Sequence, residues 1–214
     1  MANPTILTPP FRACFPNVWE PRGFAGQNPK YSVTAVWQTD DLKTHHAALW
    51  KALRKALDAA CKEKFRVAYS KLPSSHRRPL RDGAEKAELA GFGPGTVFAA
   101  LSSKHPPGIV DLRRQPMDKD DPRVYPGCMM RASVNVYTYD NVSKGVAIGL
   151  QNLQWLGHGD RLGGRADAAA AFADDPPGSE WFEAEANAPV DDDDPAEYDS
   201  GGKFVEDDDD DIPF

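Results

Sequence analysis

Apolar and polar residues alternate along Lys30–Gln38 (KYSVTAVWQ), with Tyr31, Val33, Ala35 and Trp37 on one side and Ser32, Thr34 and Gln38 on the other. That period of two predicts a strand with one buried face. The period then lengthens. Over residues 42–65, Leu42, Leu49, Trp50, Leu53, Leu57, Cys61 and Phe65 recur at helical spacing, and Thr39, Asp40 and Asp41 offer an N-terminal cap and favourable charge. One long amphipathic helix is expected. Its Lys43, Lys51, Arg54, Lys55 and Lys62 fall largely on the outer surface and read as a solvated face, with a DNA contact as the alternative. Residues 66–95 are rich in Arg, Lys, Gly and Pro, including Arg77, Arg78, Arg81 and the run Gly91-Phe92-Gly93-Pro94-Gly95, and predict loops.

Short strands are predicted over residues 96–102 and 108–113, separated by His105-Pro106-Pro107-Gly108. The clearest pair follows. Residues 128–139 set Cys128, Met130, Ala132, Val134 and Val136 against Met129, Arg131, Ser133, Asn135, Tyr137 and Tyr139; residues 140–144 turn, and 145–155 return. One face suits a core and the other something polar. Short strands interrupted by one long helix, without repeated βαβ units, make a mainly β, α+β class. They fit a small twisted barrel, with an OB-like five-stranded barrel carrying loop insertions as the natural candidate.

Charge divides the chain in two. Residues 1–165 carry 24 Lys+Arg against 14 Asp+Glu, whereas residues 166–214 carry 1 against 18. A basic body of net +10 is thus hidden behind the overall −7, and such a body points to a polyanion as its partner. Residues 166–214 are mostly Asp, Glu, Pro, Gly and Ala, too poor in apolar surface to offset ordering entropy, so a disordered acidic tail is expected there. The first ten residues lack a basic stretch followed by an apolar run, and no window approaches the roughly 20 apolar residues of a spanning helix. A cytosolic protein without membrane contact is expected. Cys14, Cys61 and Cys128, odd in number and far apart, read as buried free thiols.

Single-stranded DNA is gripped by cations along its phosphates and by aromatic rings under its bases. Arg131, Tyr137 and Tyr139 occupy positions on one face of their strand. Arg113, Arg114, Arg123, Tyr125 and Lys144 lie nearby in sequence, and Arg12, Phe15, Trp19 and Lys30 belong to the first strand region. These twelve are the candidate DNA-binding residues. For Phe15, Trp19 and Trp37 the alternative is a place in the core, favoured for Trp37 by its apolar companions. Tyr137 and Tyr139, beside Arg131 on a polar face, fit a binding surface better. The acidic run Asp207, Asp208, Asp209, Asp210 and Asp211 is followed by Ile212, Pro213 and Phe214. A partner could seat the Phe214 ring in an apolar pocket and steer the aspartates along a basic rim.

Asp-Asp-Asp-Ile-Pro-Phe is similar to the tail tip of bacterial single-stranded-DNA-binding proteins, which implies docking to replication, recombination and repair proteins such as a polymerase, helicase, primase or recombinase. The body resembles the bacteriophage single-stranded-DNA-binding family once catalogued as a domain of unknown function. The resemblance rests on Phe15-Pro16-Asn17-Val18-Trp19-Glu20-Pro21, Lys30-Tyr31-Ser32, Pro79-Leu80-Arg81-Asp82-Gly83, Tyr125-Pro126-Gly127-Cys128, Arg131-Ala132-Ser133-Val134-Asn135 and Leu162-Gly163-Gly164-Arg165. It implies an OB fold that coats and protects ssDNA, in the host cytoplasm if phage-encoded. A departure is the alanine-rich stretch Ala168 to Phe172, where a more acidic segment is expected.

Two other classes compete. A metal-dependent nuclease would draw on His45, His46, His76, His105 and His158, but no HExxH or paired CxxC appears. His45 and His46 diverge by about 100° on a helix and share a metal poorly. An adaptor or DNA mimic would work through the acidic tail and leave the body as scaffold. The expectation is a binding protein, not an enzyme, with no metal and no cofactor.

Overall fold

A computed structural model describes residues 4–23 and 28–163. The candidate partner-binding residues Asp207 to Phe214, and the expected tail as a whole, lie outside the described residues. The elements in chain order are β1 (Ile6–Leu7), β2 (Phe11–Arg22), β3 (Lys30–Gln38), α1 (Thr39–Thr44), α2 (Ala47–Phe65), β4 (Arg81–Asp82), β5 (Thr96–Ser103), β6 (Gly108–Val110), β7 (Met129–Asp140) and β8 (Lys144–Gly157). The structure is mainly β with few helices.

Five strands pair in a ring. β2 runs antiparallel to β3 and β3 antiparallel to β5; β5 lies parallel to β8, β8 antiparallel to β7, and β7 antiparallel to β2. The short β1, β4 and β6 add to β7, β5 and β8 respectively. Alternation sets which side chains fill the interior. Val33, Ala35 and Trp37 of β3 are buried with Met130, Ala132, Val134 and Val136 of β7 and Ile148, Leu150 and Leu153 of β8. Phe11 meets Trp37 edge-on at 5.8 Å, and Trp37 Nε1 donates to the Pro9 carbonyl at 3.3 Å.

The segment expected to form one helix is two. Thr44 Oγ1 donates to the Asp40 carbonyl at 2.8 Å, and the backbone N–H groups of His45 and His46 both reach the Asp41 carbonyl at 3.0 Å. A threonine bonding back to the carbonyl four residues earlier disturbs the ladder, and two histidines of modest helix propensity do not restore it. The expected cap also differs, since Gln38 holds the N-cap position without a side-chain bond, and Asp40 and Asp41 sit in the first turn. α2 keeps the predicted stripe: Leu53, Leu57 and Cys61 are buried. Its Lys51, Arg54, Lys55 and Lys62 are exposed.

β6 stops at Val110, three residues short of expectation, because Asp111 Oδ1 accepts from the N–H groups of Arg113 (2.8 Å) and Gln115 (2.9 Å) and turns the chain. Residues 66–95 hold short structured pieces: 3-10 turns at Tyr69–Lys71 and Gly83–Lys86, and β4. Periodicity could not find elements this brief. A second apolar cluster, Cys14, Val36, Phe92 and Phe98, lies outside the ring of strands under Leu89 and Leu162, which is why Val36 is buried on the nominally polar side of β3.

Cys14, Cys61 and Cys128 are buried free thiols. Burial pushes all three pKa values up, that of Cys14 from 9.0 to about 11. A thiol whose folded pKa is raised favours the fold below the unfolded value and loses that contribution as pH climbs through the folded one. The melting temperature is therefore expected to fall between pH 9 and 11. At pH 8 a thiol reagent should label the native protein little and the denatured protein fully. Rapid native labelling would show that the cysteines open to solvent.

Candidate nucleic-acid interface

A groove of about 1330 Å³ crosses the outer face of β3, β5, β7 and β8, walled by residues 74–86. The wall is held by backbone pairing. Arg77 N donates to the Lys144 carbonyl at 2.9 Å and Val146 N to the Arg77 carbonyl at 3.1 Å. Gly145 permits this approach, because a Cβ there would lie 2.6 Å from the Arg77 carbonyl oxygen and 2.8 Å from Tyr139 Oη. Farther along, β4 pairs Arg81 with Phe98, Asp82 Oδ1 caps the following turn through Ala84 N at 2.9 Å, and Gly83 leaves space that the Thr96 hydroxyl occupies. The motif Pro79-Leu80-Arg81-Asp82-Gly83 thereby lays Arg81 over the Phe98 ring at 5.1 Å, with Lys86 Nζ over the same ring at 5.3 Å.

Lys30, Arg77, Arg78, Arg81, Lys86 and Lys104 line the groove, against one carboxylate, Glu85. Arg81 pairs with that carboxylate, while no ion pair among the described residues engages Lys30, Arg77 or Lys104. Arg78 donates to the Leu72 carbonyl and stands 5.9 Å from the Tyr69 ring. The floor is made of small residues, two of them with hydroxyls (Thr34, Ser102) and one apolar (Ala100), and the rings of Tyr137, Tyr139 and Phe98 line the space. Tyr137 pairs with Ala147 and Tyr139 with Gly145, so small residues on β8 leave the tyrosines room across it. Burial, then the neighbouring Tyr139, pushes the Tyr137 phenol above its usual 10.0.

Of the twelve candidates, Lys30, Tyr137 and Tyr139 line this groove, and Lys144 stands beside it, ion-paired with Asp140 at 3.3 Å. Arg131 projects from the same strand at its far end. Its Nε donates to Gln154 Oε1 at 2.7 Å, and six residues of strand, roughly 20 Å, separate it from Tyr137. Arg113 and Arg114 are exposed on the turn after β6. Arg123 is held by Asp121 at 2.7 Å and lies over Trp155 at 5.4 Å. Tyr125 is buried, its hydroxyl donating to the Gly159 carbonyl at 2.9 Å, and Arg12 pairs with Asp160 at 3.3 Å. Trp19 packs half-buried against the core, and Phe15 is exposed. The cations that sequence reasoning left out of the site, Arg77, Arg78, Arg81, Lys86 and Lys104, come mostly from the loop region; their signal was its Arg-Lys density and the Pro79–Gly83 motif. Among the described residues no three His, Cys, Asp or Glu side chains gather as a metal centre requires. No helix there is long and apolar enough to cross a membrane.

Cations along a groove floored by small residues and flanked by rings are the general design of a single-strand nucleic-acid-binding surface. The chain belongs to the family of the Enterobacter phage Enc34 ssDNA-binding protein, whose sequence profile matches residues 4–182. Protein p50 of Acyrthosiphon pisum secondary endosymbiont phage 1 is 30% identical over 168 residues, 77% of this chain and 89% of that protein. The fold is similar to that of the bacteriophage Enc34 single-stranded DNA-binding protein in complex with ssDNA, with TM-score 0.61 and 19% identity over 74% of this chain and 89% of that one. It is also similar to gp2.5, a single-stranded DNA-binding protein encoded by bacteriophage T7, with TM-score 0.51 and 14% identity over 83% of this chain and 98% of that one.

Proposed function

We propose that this chain binds single-stranded DNA in the groove on β3, β5, β7 and β8. The observation that carries the reading is the charge of that groove, six cations to one carboxylate beside two tyrosine rings. A polyphosphate backbone is neutralised by such a lining, and bases of any identity stack on the rings. The closed ring of strand pairings supports an OB-like five-stranded barrel, with the α1–α2 segment in place of one long helix as its main insertion. In this reading residues 1–165 hold DNA, coating it during phage replication, recombination or repair. Residues 166–214 form an acidic extension whose segment 207–214 recruits a polymerase, helicase, primase or recombinase; no catalytic step is involved.

A titration of labelled ssDNA and duplex across a range of salt tests both halves, using the full chain and a variant lacking Phe214. ssDNA affinity is expected to exceed duplex affinity, to fall steeply with salt, and to be unchanged by loss of Phe214. Capture of purified replication proteins should weaken in that variant. Absence of salt-sensitive ssDNA binding would remove the groove assignment, and equal capture would remove the recruiting role.

A further inference from the structure

We infer that the DNA track extends beyond the groove, across Lys86 and onto the exposed ring of Phe15, giving the chain an additional base-stacking platform. This rests on the groove reading above and lengthens its footprint.

Phe15 sits in the interior of β2, after Phe11 and Ala13, which are buried in the core. Strict alternation would send its ring inward beside them. Instead the register of β2 on β3 slips between Cys14, opposite Thr34, and Asn17, opposite Ser32. Phe15 adopts φ 49° within this slip. Four non-glycine residues among those described have positive φ; Arg66 ends α2, Arg114 and Asp120 lie in turns, and Phe15 alone lies inside a strand. That conformation is costly for a bulky side chain, and a bulge of this kind re-aims the residue it carries. The outcome is a phenylalanine 51% exposed. Phe15 and Tyr137 are the large aromatic residues left exposed among those described.

The ring is joined to the groove. It lies 6.4 Å from Phe92, which meets Phe98 edge-on at 5.2 Å, and Phe98 lines the groove. Lys86 Nζ stands over both inner rings, 5.7 Å from the centre of Phe92 and 5.3 Å from that of Phe98. Thr34, opposite Cys14, is part of the groove floor. A strand leaving Tyr137 and Tyr139 therefore meets a cation and then an open ring already backed by a second ring. Lys86 offers its ammonium to a phosphate beside these rings, and Phe15 offers a base a ring that is already exposed. As a purely architectural bulge, the slip would not require an aromatic residue at its exposed corner.

The test uses the full chain with Phe15→Ala and Phe15→Gly, the glycine being at ease at positive φ and so separating loss of the ring from loss of the fold. Kd is measured for oligothymidylates from about 4 to 16 nucleotides, the span that OB folds cover. Oligomers short enough to fit the groove should bind both variants as they bind the parent protein. Longer ones should bind both roughly 5- to 150-fold more weakly, the size of one lost stack. Tyr137→Ala should weaken every length. Equal affinity of parent and variants at all lengths overturns the extension and leaves the groove intact. Uniform loss at all lengths also overturns it, by placing Phe15 inside the groove's own footprint. If the parent protein binds no oligomer, both readings fall together.

Discussion

Replacing Lys30, Arg77 and Lys104 together with glutamine is expected to flatten the dependence of log K on log salt for ssDNA by about 2 units. Each phosphate contact releases counterions worth a slope of roughly 0.7 on a single strand. These three cations line the groove from different segments, Lys30 at the start of β3, Arg77 on the wall and Lys104 just after β5. No ion pair among the described residues engages them. Their removal therefore breaks no internal contact of charge, and the fold should be retained. Extrapolated to about 0.1 M salt the same slope change corresponds to a loss on the order of 100-fold in affinity. Arg81 makes the contrasting variant. It already pairs with Glu85 through a two-point contact, so Arg81→Gln should move the slope less, because part of its charge is neutralised before DNA arrives. Fluorescence anisotropy at four or five salt concentrations gives both slopes, and a triple variant with the parental slope would locate the phosphates on another face.

The alternation of β3 and of β7 with β8 was legible because one face of each is a core, and burial enforces period two. The amphipathic stripe Leu53, Leu57, Cys61 was legible for the same reason. What periodicity could not supply was the break before α2, where the Thr44 hydroxyl bonds back to the Asp40 carbonyl and His45 and His46 share the Asp41 carbonyl. Nor could it show where residues 74–86 run. That stretch is placed by backbone bonds to β8 and by a two-residue pairing with β5, neither of which leaves a periodic trace. The candidate site suffered accordingly. Tyr137 and Tyr139 could be read from strand parity, and Lys30 belongs to the segment Lys30-Tyr31-Ser32 that carries the family resemblance. The wall cations stood apart from any strand, so only their density hinted at a role. Arg131 shares the parity of the tyrosines, but parity fixes a face and says nothing of distance along it.

Tyr137 and Tyr139 should account for the largest uncharged part of the affinity. The Tyr139 hydroxyl lies 2.8 Å from where a Cβ on Gly145 would stand and the Tyr137 ring 3.3 Å from where one on Gly149 would stand, and both tyrosines line the groove. Truncation to alanine removes a stacking platform worth about 1–3 kcal/mol per base. Affinity should thus fall roughly 5- to 150-fold for each tyrosine that carries a base. Because no cation is removed, the salt slope of Tyr137→Ala and Tyr139→Ala should match that of the parent protein even as the absolute affinity drops. The Tyr137 phenol is pushed above 10.0, first by burial and then by Tyr139, so it stays protonated below that value. A neutral ring does not repel phosphate, and its contribution should be level from pH 6 to 9. Arg131→Gln provides the control within the same strand: its guanidinium is engaged by Gln154, far along β7 from the groove, and ssDNA affinity should be nearly that of the parent protein. If Arg131→Gln weakens binding as much as either tyrosine variant, the strand of DNA must follow the length of the β7–β8 hairpin and not cross it at the tyrosines.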